Sequence, residues 1–319
     1  MSYANVILEL LYDRAGQCVH AQELPPAATP DGLARALVEL RQRGHVIEEL
    51  PSRGLRLCRP TVLDAHLIER GLAARRLGRH VICFAEAGST NDVAFDSAGQ
   101  TQEAVVVTAE SQRAGRGRLG RRWESPAGSG LLCSVLLPTG GRMPADALTI
   151  AAGLAVAEGI EQTVGLAMEL EWPNDVVSGG GKLAGVIVEV RQAGGRRRTV
   201  IGFGINVSAA PPPGSAPRRA ISLADLAHGP VERIELLRAV LCRLDDWTGR
   251  LERGESEGLH AGWTARCTML NRRVTLEHAG AVHTGRVVDI DPFRGLVLQS
   301  DAGPMLHFPA ATTAVVAGR

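Results

Sequence analysis

The sequence predicts an α+β protein in three parts, and three changes of pattern along its 319 residues support this division. Residues 1–60 contain two helical patterns followed by two short strand-like runs. From residue 61 to 268, strand-like and helix-like segments alternate with glycine-rich connections, which is typical of a mixed-sheet α/β domain. Residues 269–319 hold four short strand-like runs separated by turns, so we expect a small C-terminal β-barrel.

The N-terminal part has the element order of a winged helix-turn-helix module. Apolar residues recur at helical spacing over 6–11 and again over 31–43, and "GHVIEELPSRGLRL" then gives two strand-like runs. A helical interaction module with a β-ribbon has the same order, so both interpretations stay open. Pro25, Pro26 and Pro30 are expected to shorten or break the helix that should precede the recognition helix.

The charge of this part argues against DNA binding without deciding the question. Residues 1–60 carry seven arginines and seven acidic residues, a net charge of zero. The predicted recognition helix would begin with Thr29, Pro30, Asp31 and Gly32, and Asp31 would face phosphates. Neutralisation of phosphates supplies most of the affinity of DNA-binding domains, so a basic face would be expected.

Bulk composition is that of an ordinary globular protein. The formal charge is +1, with 45% hydrophobic and 22% charged residues, which predicts neither a polyanion-binding protein nor an acidic tail. The first residues, "MSYANVILEL", lack a basic targeting region, and no apolar stretch approaches the ~18 residues of a membrane span. Six cysteines without a C-x-x-C pair indicate reduced thiols in a cytoplasmic protein and no zinc site.

Alternation in the central part predicts seven main elements. Two long amphipathic patterns predict helices, "ADALTIAAGLAVAEGIEQTV" and "ERIELLRAVLCRLDDWTGRLE". Five runs are strand-like: "HVICFAEAG", "EAVVVTAES", "GLLCSVLLP", "KLAGVIVEV" and "RTVIGFGINV".

The segment "QRAGRGRLGRRW", residues 112–123, has five arginines and no acidic residue. Gly115, Gly117 and Gly120 match the spacing of a dinucleotide-binding fingerprint, but the following "RRWESPAGSG" cannot continue the helix that such a loop must open. The segment is therefore a cationic glycine-rich loop whose backbone N–H groups can approach an anion, with Arg116 and Arg118 supplying charge. A solvated basic loop is the alternative.

Three further motifs contain the residue types of a polar binding site. "GSTND", residues 88–92, reads as a helix start, which either caps the helix or faces a small polar ligand. "EWPNDVV", residues 171–177, predicts a strand end and a rigid turn, with an Asx turn as the simpler interpretation. In "IGFGINV", Gly202 and Gly204 thin a strand, which indicates close approach of a ligand or of another backbone.

Lysine occurs once in the chain. Lysine and arginine total 35, and Lys182 in "GGGKLAGVIVEV" is the single lysine among them. An ammonium is a compact point charge with three rotatable donors, whereas a guanidinium is a wide planar fork. We therefore expect Lys182 to occupy a confined pocket that an arginine would not fit.

Taken in order, these motifs resemble the hallmark pattern of the biotin–protein ligase family. The resemblance is strong over residues 80–210 and weaker over the C-terminal strands, and residues 1–60 resemble the winged-helix extension of its bifunctional ligase/repressor members. It implies a catalytic domain of the class II synthetase/biotin ligase type over 61–268 and an SH3-like barrel over 269–319.

The resemblance also implies an activity. Biotin would be activated by ATP and Mg²⁺ to biotinyl-5′-AMP, and a lysine of a biotin carboxyl carrier protein would then accept the biotinyl group. A biotin-operon repressor with biotinyl-AMP as corepressor is the main alternative. A lipoate–protein ligase is less consistent, because it lacks "GRGRxG" and "KLAG". Family members often form homodimers, which the sequence leaves open.

The site residues follow from matching this sequence to the family motifs. Catalytic roles are implied for Lys182, Arg116, Arg118 and Asp175. Biotin binding is implied for Ser89, Thr90, Asn91, Gln112, Gly115, Arg116, Gly117, Arg118, Trp123, Lys182 and Gly204. ATP or adenylate binding is implied for Arg116, Arg118, Arg121, Asn174, Lys182 and Asn206. Asp175 has three candidate roles: orienting the incoming lysine, deprotonating it, or holding Mg²⁺.

One position departs from the pattern. The residue before "WPND" is usually basic in this family, and here it is Glu171, a carboxylate that would weaken the binding of an anion beside it. The proline-rich loop from Pro211 to Arg219 is expected to close over the adenylate.

Overall fold

A computed structural model describes residues 1–25, 30–51, 53–99, 101–138, 143–193, 195–212, 214, 218–227 and 229–318. Pro26 and Thr29 of the predicted N-terminal module lie outside these residues, as does much of the proline-rich loop. Within the described part of the chain, no helix has both the length and the apolar character needed to cross a membrane.

The N-terminal part forms two helices and a two-stranded antiparallel hairpin, with one 3₁₀ turn where a third helix would stand. Its elements are α1 Tyr3–Asp13, a 3₁₀ turn Ala21–Glu23, α2 Pro30–Gln42, β1 Ile47–Leu50 and β2 Gly54–Leu57. Ser2 accepts a hydrogen bond from the backbone N–H of Asn5 and so caps α1. Pro25 follows the 3₁₀ turn closely and prevents its extension into an α-helix.

The central part is built on one mixed sheet of seven strands. These are β3 Val81–Phe84, β4 Val105–Ala109, β5 Gly130–Leu136, β6 Glu169–Glu171, β7 Asp175–Ser178, β8 Gly181–Ala193 and β9 Arg196–Asn206. Their order is β3-β4-β5-β9-β8-β7-β6, in which β3 and β4 are parallel and the other neighbours are antiparallel. All five predicted strands are confirmed. The strand end predicted at "EWPNDVV" is the end of β6, and β7 was not predicted.

Two long helices cover one face of this sheet, and both were predicted from their patterns. The helices of the central part are α3 Ala65–Glu69, α4 Thr90–Ser97, α5 Ala145–Val164, α6 Leu223–Ala227, α7 Arg233–Glu252 and α8 Glu257–Thr264. A Cβ on Gly159 of α5 would lie 2.8 Å from the backbone nitrogen of Val240 in α7. Glycine at this position therefore allows the two helices to cross in close contact.

Hydrogen bonds and ion pairs fasten the N-terminal part to α7. Tyr12 donates a hydrogen bond of 2.8 Å to Glu235, and Arg59 lies 2.7 Å from a carboxylate oxygen of Glu232. The buried apolar residues of the two parts also form one continuous cluster. The N-terminal part is therefore packed on the central part rather than attached by a linker alone.

The C-terminal part is a five-stranded antiparallel sheet in the order β13-β12-β11-β10-β14. Its strands are β10 Arg273–His278, β11 Ala281–Asp291, β12 Gly295–Ser300, β13 Met305–Phe308 and β14 Thr313–Gly318. Four strands were expected, and the fifth is β14. Its position after "FPAAT" places residues 310–315 beside the glycine-rich loop of the central part.

Candidate active site

One pocket over the seven-stranded sheet, beside the start of α4, brings the four sequence motifs together. Every predicted site residue lines it except Gly115, which packs within the loop against the backbone of Trp123. The lining includes Ser89, Thr90, Asn91, Gln112, Arg116, Gly117, Arg118, Arg121, Trp123, Asn174, Asp175, Lys182, Gly204 and Asn206.

The "GSTND" segment forms a buried polar corner at the start of α4. Ser89 occupies the N-cap position, but its side chain makes no capping hydrogen bond. Gln112 Oε1 instead accepts from the backbone N–H of Thr90 at 2.7 Å and from its hydroxyl at 3.1 Å. Ser134 Oγ lies 2.5 Å from Asn91 Oδ1, while Asn91 Nδ2 is buried with no hydrogen-bond partner in the described residues. Asn91 Nδ2 is thus a donor available to a polar ligand.

The glycine-rich loop folds back on itself instead of opening a helix. Gly117 N–H donates to the carbonyl of Arg121 at 2.7 Å, and Trp123 N–H donates to the carbonyl of Gly115 at 3.1 Å. A Cβ on Gly115 would lie 2.5 Å from Trp123 O, so this close contact requires glycine. The rejection of a dinucleotide fingerprint is therefore correct.

Arg116 and Arg118 leave the loop in different directions. Arg116 donates to the carboxylates of Asp92 and Glu189. Arg118 donates to backbone carbonyls of the C-terminal sheet, Ala310 O and, at 3.0 Å, Thr313 O. Burial lowers the pKa of the Arg118 guanidinium.

The two glycines of β9 accommodate side chains from the facing motifs. A Cβ on Gly204 would lie 2.4 Å from Cε2 of Trp123, and one on Gly202 would lie 2.3 Å from Asn91 Oδ1. The group that approaches Gly204 most closely in the described residues is therefore the Trp123 indole. The indole Nε1 is buried and has no hydrogen-bond partner there.

Lys182 lies on β8 opposite the turn between β6 and β7. Its Nζ is 2.7 Å from Asp175 Oδ1 and 5.5 Å from the centroid of the Trp123 ring. A Cβ on Gly185 would lie 3.3 Å from Nζ and 3.2 Å from the Trp123 ring, so glycine at this position leaves the room that both groups occupy. The turn contains the cis peptide bond Trp172–Pro173.

Two asparagines tie the edges of the pocket together. Asn174 Nδ2 donates to Val186 O at 2.6 Å, which joins the turn to β8. Asn206 Nδ2 donates to Ile221 O at 3.1 Å, and its buried Oδ1 has no partner among the described atoms. These bonds hold the strand ends in fixed positions around Lys182.

Glu171, the position that departs from the family pattern, forms an ion pair with Arg218. The strand residues Glu171 and Asp175 are direct cross-strand partners in β6 and β7. Lys182 N–H donates to Arg219 O at 2.8 Å, so the segment that carries Arg218 is hydrogen-bonded beside Lys182. Two adjacent carboxylates thus face two adjacent cations at one side of the pocket.

Sequence reasoning did not predict the partners of three site residues: Asp92 and Glu189 for Arg116, Ser134 for Asn91, and Arg218 for Glu171. Asp92 was quoted within "GSTND" and Glu189 within "KLAGVIVEV", but neither was assigned a contact. The glycine-rich loop has five arginines and no acidic residue of its own, so acidic partners elsewhere in the chain could have been expected. In the described part of the chain, no group of three or more His, Cys, Asp or Glu side chains is arranged to hold a metal ion.

Known proteins resemble this chain in sequence and in fold. A profile of the Biotin/lipoate A/B protein ligase family matches residues 83–206. A biotin–[acetyl-CoA-carboxylase] ligase of Paracoccus denitrificans is 32% identical over 237 residues, 71% of this chain and 97% of that protein. The bifunctional ligase/repressor BirA of Bacillus subtilis is 29% identical over 317 residues, 93% of this chain and 94% of that protein.

A solved structure agrees with these sequence similarities. The biotin protein ligase from Aquifex aeolicus, in complex with biotin and ATP, aligns with a TM-score of 0.65 and 25% identity, over 74% of this chain and 98% of that chain.

Proposed function

This chain belongs to the biotin–protein ligase family, and we propose that its pocket converts biotin and ATP to biotinyl-5′-AMP and passes the biotinyl group to a lysine of a biotin carboxyl carrier protein. The observation that carries the proposal is the convergence of four motifs, separated by long stretches of sequence, on the pocket that contains Lys182. The likeness to a ligase structure with biotin and ATP supports the same substrates.

The first step places a carboxylate against a triphosphate. An oxygen of the biotin carboxylate attacks the α-phosphorus of ATP, the bond to the β-phosphate oxygen breaks, and pyrophosphate leaves. Both reactants are anions, so cations and N–H donors must offset their repulsion. We assign this role to Arg118, Arg121, Lys182 and the amides of the glycine-rich loop, while Arg116 is paired with the carboxylates of Asp92 and Glu189.

The second step transfers the acyl group. The amine of the carrier lysine attacks the carbonyl carbon of the mixed anhydride, AMP leaves, and an amide forms. The attacking amine must be uncharged. Asp175 is the carboxylate we assign to orient or deprotonate it, because Asp175 already binds an ammonium, that of Lys182, at 2.7 Å.

The biotin subsite is assigned to the buried polar corner. The ureido ring of biotin needs both donors and acceptors, which Ser89, Thr90, Asn91 and Gln112 offer at the start of α4. Gly115 and Gly117 let the loop backbone lie close, and Gly204 with the Trp123 indole forms the apolar floor beneath the ligand. Asn174 and Asn206 are assigned to the adenylate side.

Mg²⁺ fits this residue set as a companion of ATP rather than as a resident ion. Mg²⁺ is usually held by one or two carboxylates together with substrate phosphates. Asp175 lines the pocket and is the carboxylate we assign to it. When bound, the ion would supply neutralisation of the triphosphate charge.

We also propose the domain organisation that the sequence predicts. Residues 1–60 would be a winged helix-turn-helix module, 61–268 the catalytic domain, and 269–319 an SH3-like barrel. The hydrogen bonds from Arg118 to Ala310 and Thr313 support a role for the last part in holding the loop. A homodimer would pair an edge of the central sheet with that of a second copy.

A biotin-operon repressor is the second candidate, favoured by the similarity to BirA over 93% of the chain. The charges of the N-terminal part argue against it. Arg41 pairs with Glu49 of the hairpin at 2.8 Å, and Arg56 pairs with Glu48 across the same hairpin. An arginine that forms an ion pair within the protein contributes less to the neutralisation of DNA phosphates.

Two experiments test these proposals. Incubation with biotin, ATP and a carrier domain, followed by intact mass, should show one biotinyl group on the carrier and none when ATP is omitted. A gel shift on biotin-operon DNA, with biotin and ATP present, should show no complex at physiological salt. A carrier of unchanged mass contradicts the ligase assignment, and a specific shift establishes the repressor.

A further inference from the structure

The guanidinium of Arg116 lies between two carboxylates. Nη1 and Nη2 donate to Asp92 at 2.6 and 2.9 Å, while Nε and Nη2 donate to the two oxygens of Glu189 at 3.2 Å. All three nitrogens therefore bind carboxylate oxygen, in the paired geometry that makes arginine ion pairs strong and directional.

A second arginine completes the network. Arg191 Nη2 lies 2.6 Å from Asp92 Oδ1 and 3.3 Å from Glu189 Oε2, and its guanidinium lies 4.0 Å from the centroid of the Phe95 ring. Two positive and two negative charges alternate, so their sum is zero. The hydrogen bond from Arg116 lowers the pKa of Asp92 to about 2, which keeps this carboxylate charged at neutral pH.

Arg118 differs from Arg116 in the charge of its partners. Arg118 donates to the carbonyls of Ala310 and Thr313 and, at 3.4 Å, to the side-chain oxygen of Asn174. All of these acceptors are neutral, so the positive charge of Arg118 is not offset by them. The charge of Arg116 is offset twice. The two arginines of "GRGR" therefore differ in function, because the charge of Arg116 is neutralised by its partners and that of Arg118 is not.

The network joins three parts of the site. Asp92 is in the first turn of α4, directly after the proposed biotin residues, and Glu189 is on β8, the strand of Lys182. Arg116 itself stands between Gly115 and Gly117, two residues that lose much backbone freedom when they are ordered. The hydrogen bonds of the Arg116 side chain therefore restrain the loop at the point where its backbone is intrinsically most flexible.

We propose that Asp92 and Glu189 are positioning residues that act through Arg116 to fasten the glycine-rich loop to α4 and β8. The proposal rests on the assigned biotin site and adds the means by which that site is ordered before biotin binds. A loop that is ordered only part of the time weakens apparent affinity by the ordered fraction, without changing the rate at saturation.

Asp92→Asn and Glu189→Gln test this, with Asp96→Asn as the matched control, since Asp96 is exposed on the same helix. Each test variant should raise the Kd for biotin about tenfold and change kcat at saturating biotin and ATP less than about twofold. The control should match the parent protein in both. Thermal unfolding of each variant checks that the fold is retained.

Trypsin gives a readout that needs no activity. Without ligand, cleavage after the loop arginines, mapped by mass, should be several-fold faster in Asp92→Asn and Glu189→Gln than in the parent protein or in Asp96→Asn. Saturating biotin should restore protection. Equal cleavage of the test variants and the control would overturn the proposal, even if the parent protein never biotinylated a carrier.

A double-variant cycle separates this role from direct contact of Arg116 with substrate. If Asp92 acts through Arg116, then Asp92→Asn combined with Arg116→Gln should bind biotin no more weakly than Arg116→Gln alone. If Arg116 bound the substrate anions itself, Asp92→Asn would release a cation and tighten biotin or ATP binding. That tightening, or multiplicative losses in the double variant, would contradict the proposal.

Discussion

Lys182 and Asp175 form an ion pair of 2.7 Å at the centre of the pocket, in a space bounded by the Trp123 indole and by Gly185. We predict that this position requires lysine, in a chain where lysine and arginine total 35 and Lys182 is the single lysine. A guanidinium is wider than an ammonium and would have to fit between Asp175, the Trp123 indole and the backbone of Gly185.

Lys182→Arg should therefore lower adenylate formation strongly although the charge is kept. We expect a loss of about 10²-fold or more in the rate of pyrophosphate release, the usual effect of removing one well-placed charge-stabilising group. Arg219→Lys, an exchange of the same two residue types at an exposed position, should release pyrophosphate at the parent rate. Near-normal release by Lys182→Arg would show that the space is not confined.

Gly204→Ala should move Trp123. The added Cβ would lie 2.4 Å from indole Cε2, so we expect a loss of about 1–3 kcal/mol in the free energy of unfolding, together with weaker biotin binding. Gly99→Ala is the control, because a Cβ there meets no atom within 4 Å. Trp123→Phe in the Gly204→Ala background should recover part of the lost stability in urea unfolding. If Trp123→Phe restored none of the lost stability, the strain would not arise from contact between the new Cβ and the indole.

Glu171→Gln should tighten ATP binding. Glu171 pairs with Arg218 at the side of the pocket, so its removal frees a cation and removes a negative charge beside the triphosphate. We expect the KM for ATP to fall about threefold, a modest effect because the pair is partly exposed and screened by salt.

The partner of this pair should respond in the opposite sense. Arg218→Gln should raise the KM for ATP about threefold by the same reasoning. Arg219→Gln is the matched control, since Arg219 is the next residue and is exposed. An equal rise in KM for both arginine variants would point to a general charge effect rather than a contact.

Self-biotinylation should be low. Biotinyl-AMP reacts with amines, and this sequence offers the ε-amine of Lys182, held by Asp175, and an N-terminal amine. Intact mass after incubation with biotin and ATP alone should show the unmodified chain. Arg122→Lys places an exposed amine beside the pocket and should become labelled. Abundant label on the parent chain would contradict the confinement of Lys182.

Asp64 should make folding stability sensitive to acid. Burial alone would raise its pKa, but hydrogen bonds from His45 and Arg43 outweigh burial and lower the pKa from 3.8 to about 2. A lowered folded-state pKa contributes stability at neutral pH that is lost as the pH falls from about 4 to about 2, which amounts to about 2 kcal/mol.

Asp64→Asn should lose this contribution at neutral pH and so show a flatter dependence of the unfolding free energy on pH between 5 and 2. Urea unfolding at several pH values measures it, and Asp96→Asn should keep the parent slope. If the unfolding free energy of Asp64→Asn depended on pH as steeply as that of the parent protein, the acid sensitivity would come from other carboxylates.

Local pattern was enough to predict the long elements. The 20 residues of α5 are mostly apolar and contain no proline, β5 is an almost continuous apolar run, and β9 is apolar from Val200 to Ile205, so these patterns are long enough to be recognised. By contrast, only the end of β6 was predicted, and β7 is a four-residue strand between the Trp172–Pro173 turn and a run of glycines. A pattern that short is decided by pairing with a neighbouring strand.

The motifs predicted which residues meet, but not how their charges pair. Arg116 and Glu189 are 73 residues apart, and Arg218 and Glu171 are 47 apart. The residues next to an arginine in the sequence do not identify the distant carboxylate with which it pairs. The partner is determined by which strands and loops lie close together in the folded chain. The cationic loop was therefore predicted, but not that one of its arginines binds carboxylates and another binds neutral carbonyl groups.

Gly202 and Gly204 have no side chains, and Asn91 and the Trp123 indole lie against their backbone. Every substitution at either glycine adds atoms, so it would push one of these two side chains towards the ligand. The space for a larger vitamin analogue therefore depends on the side chains at positions 91 and 123. A smaller residue at position 123 would enlarge that space while both glycines stay unchanged.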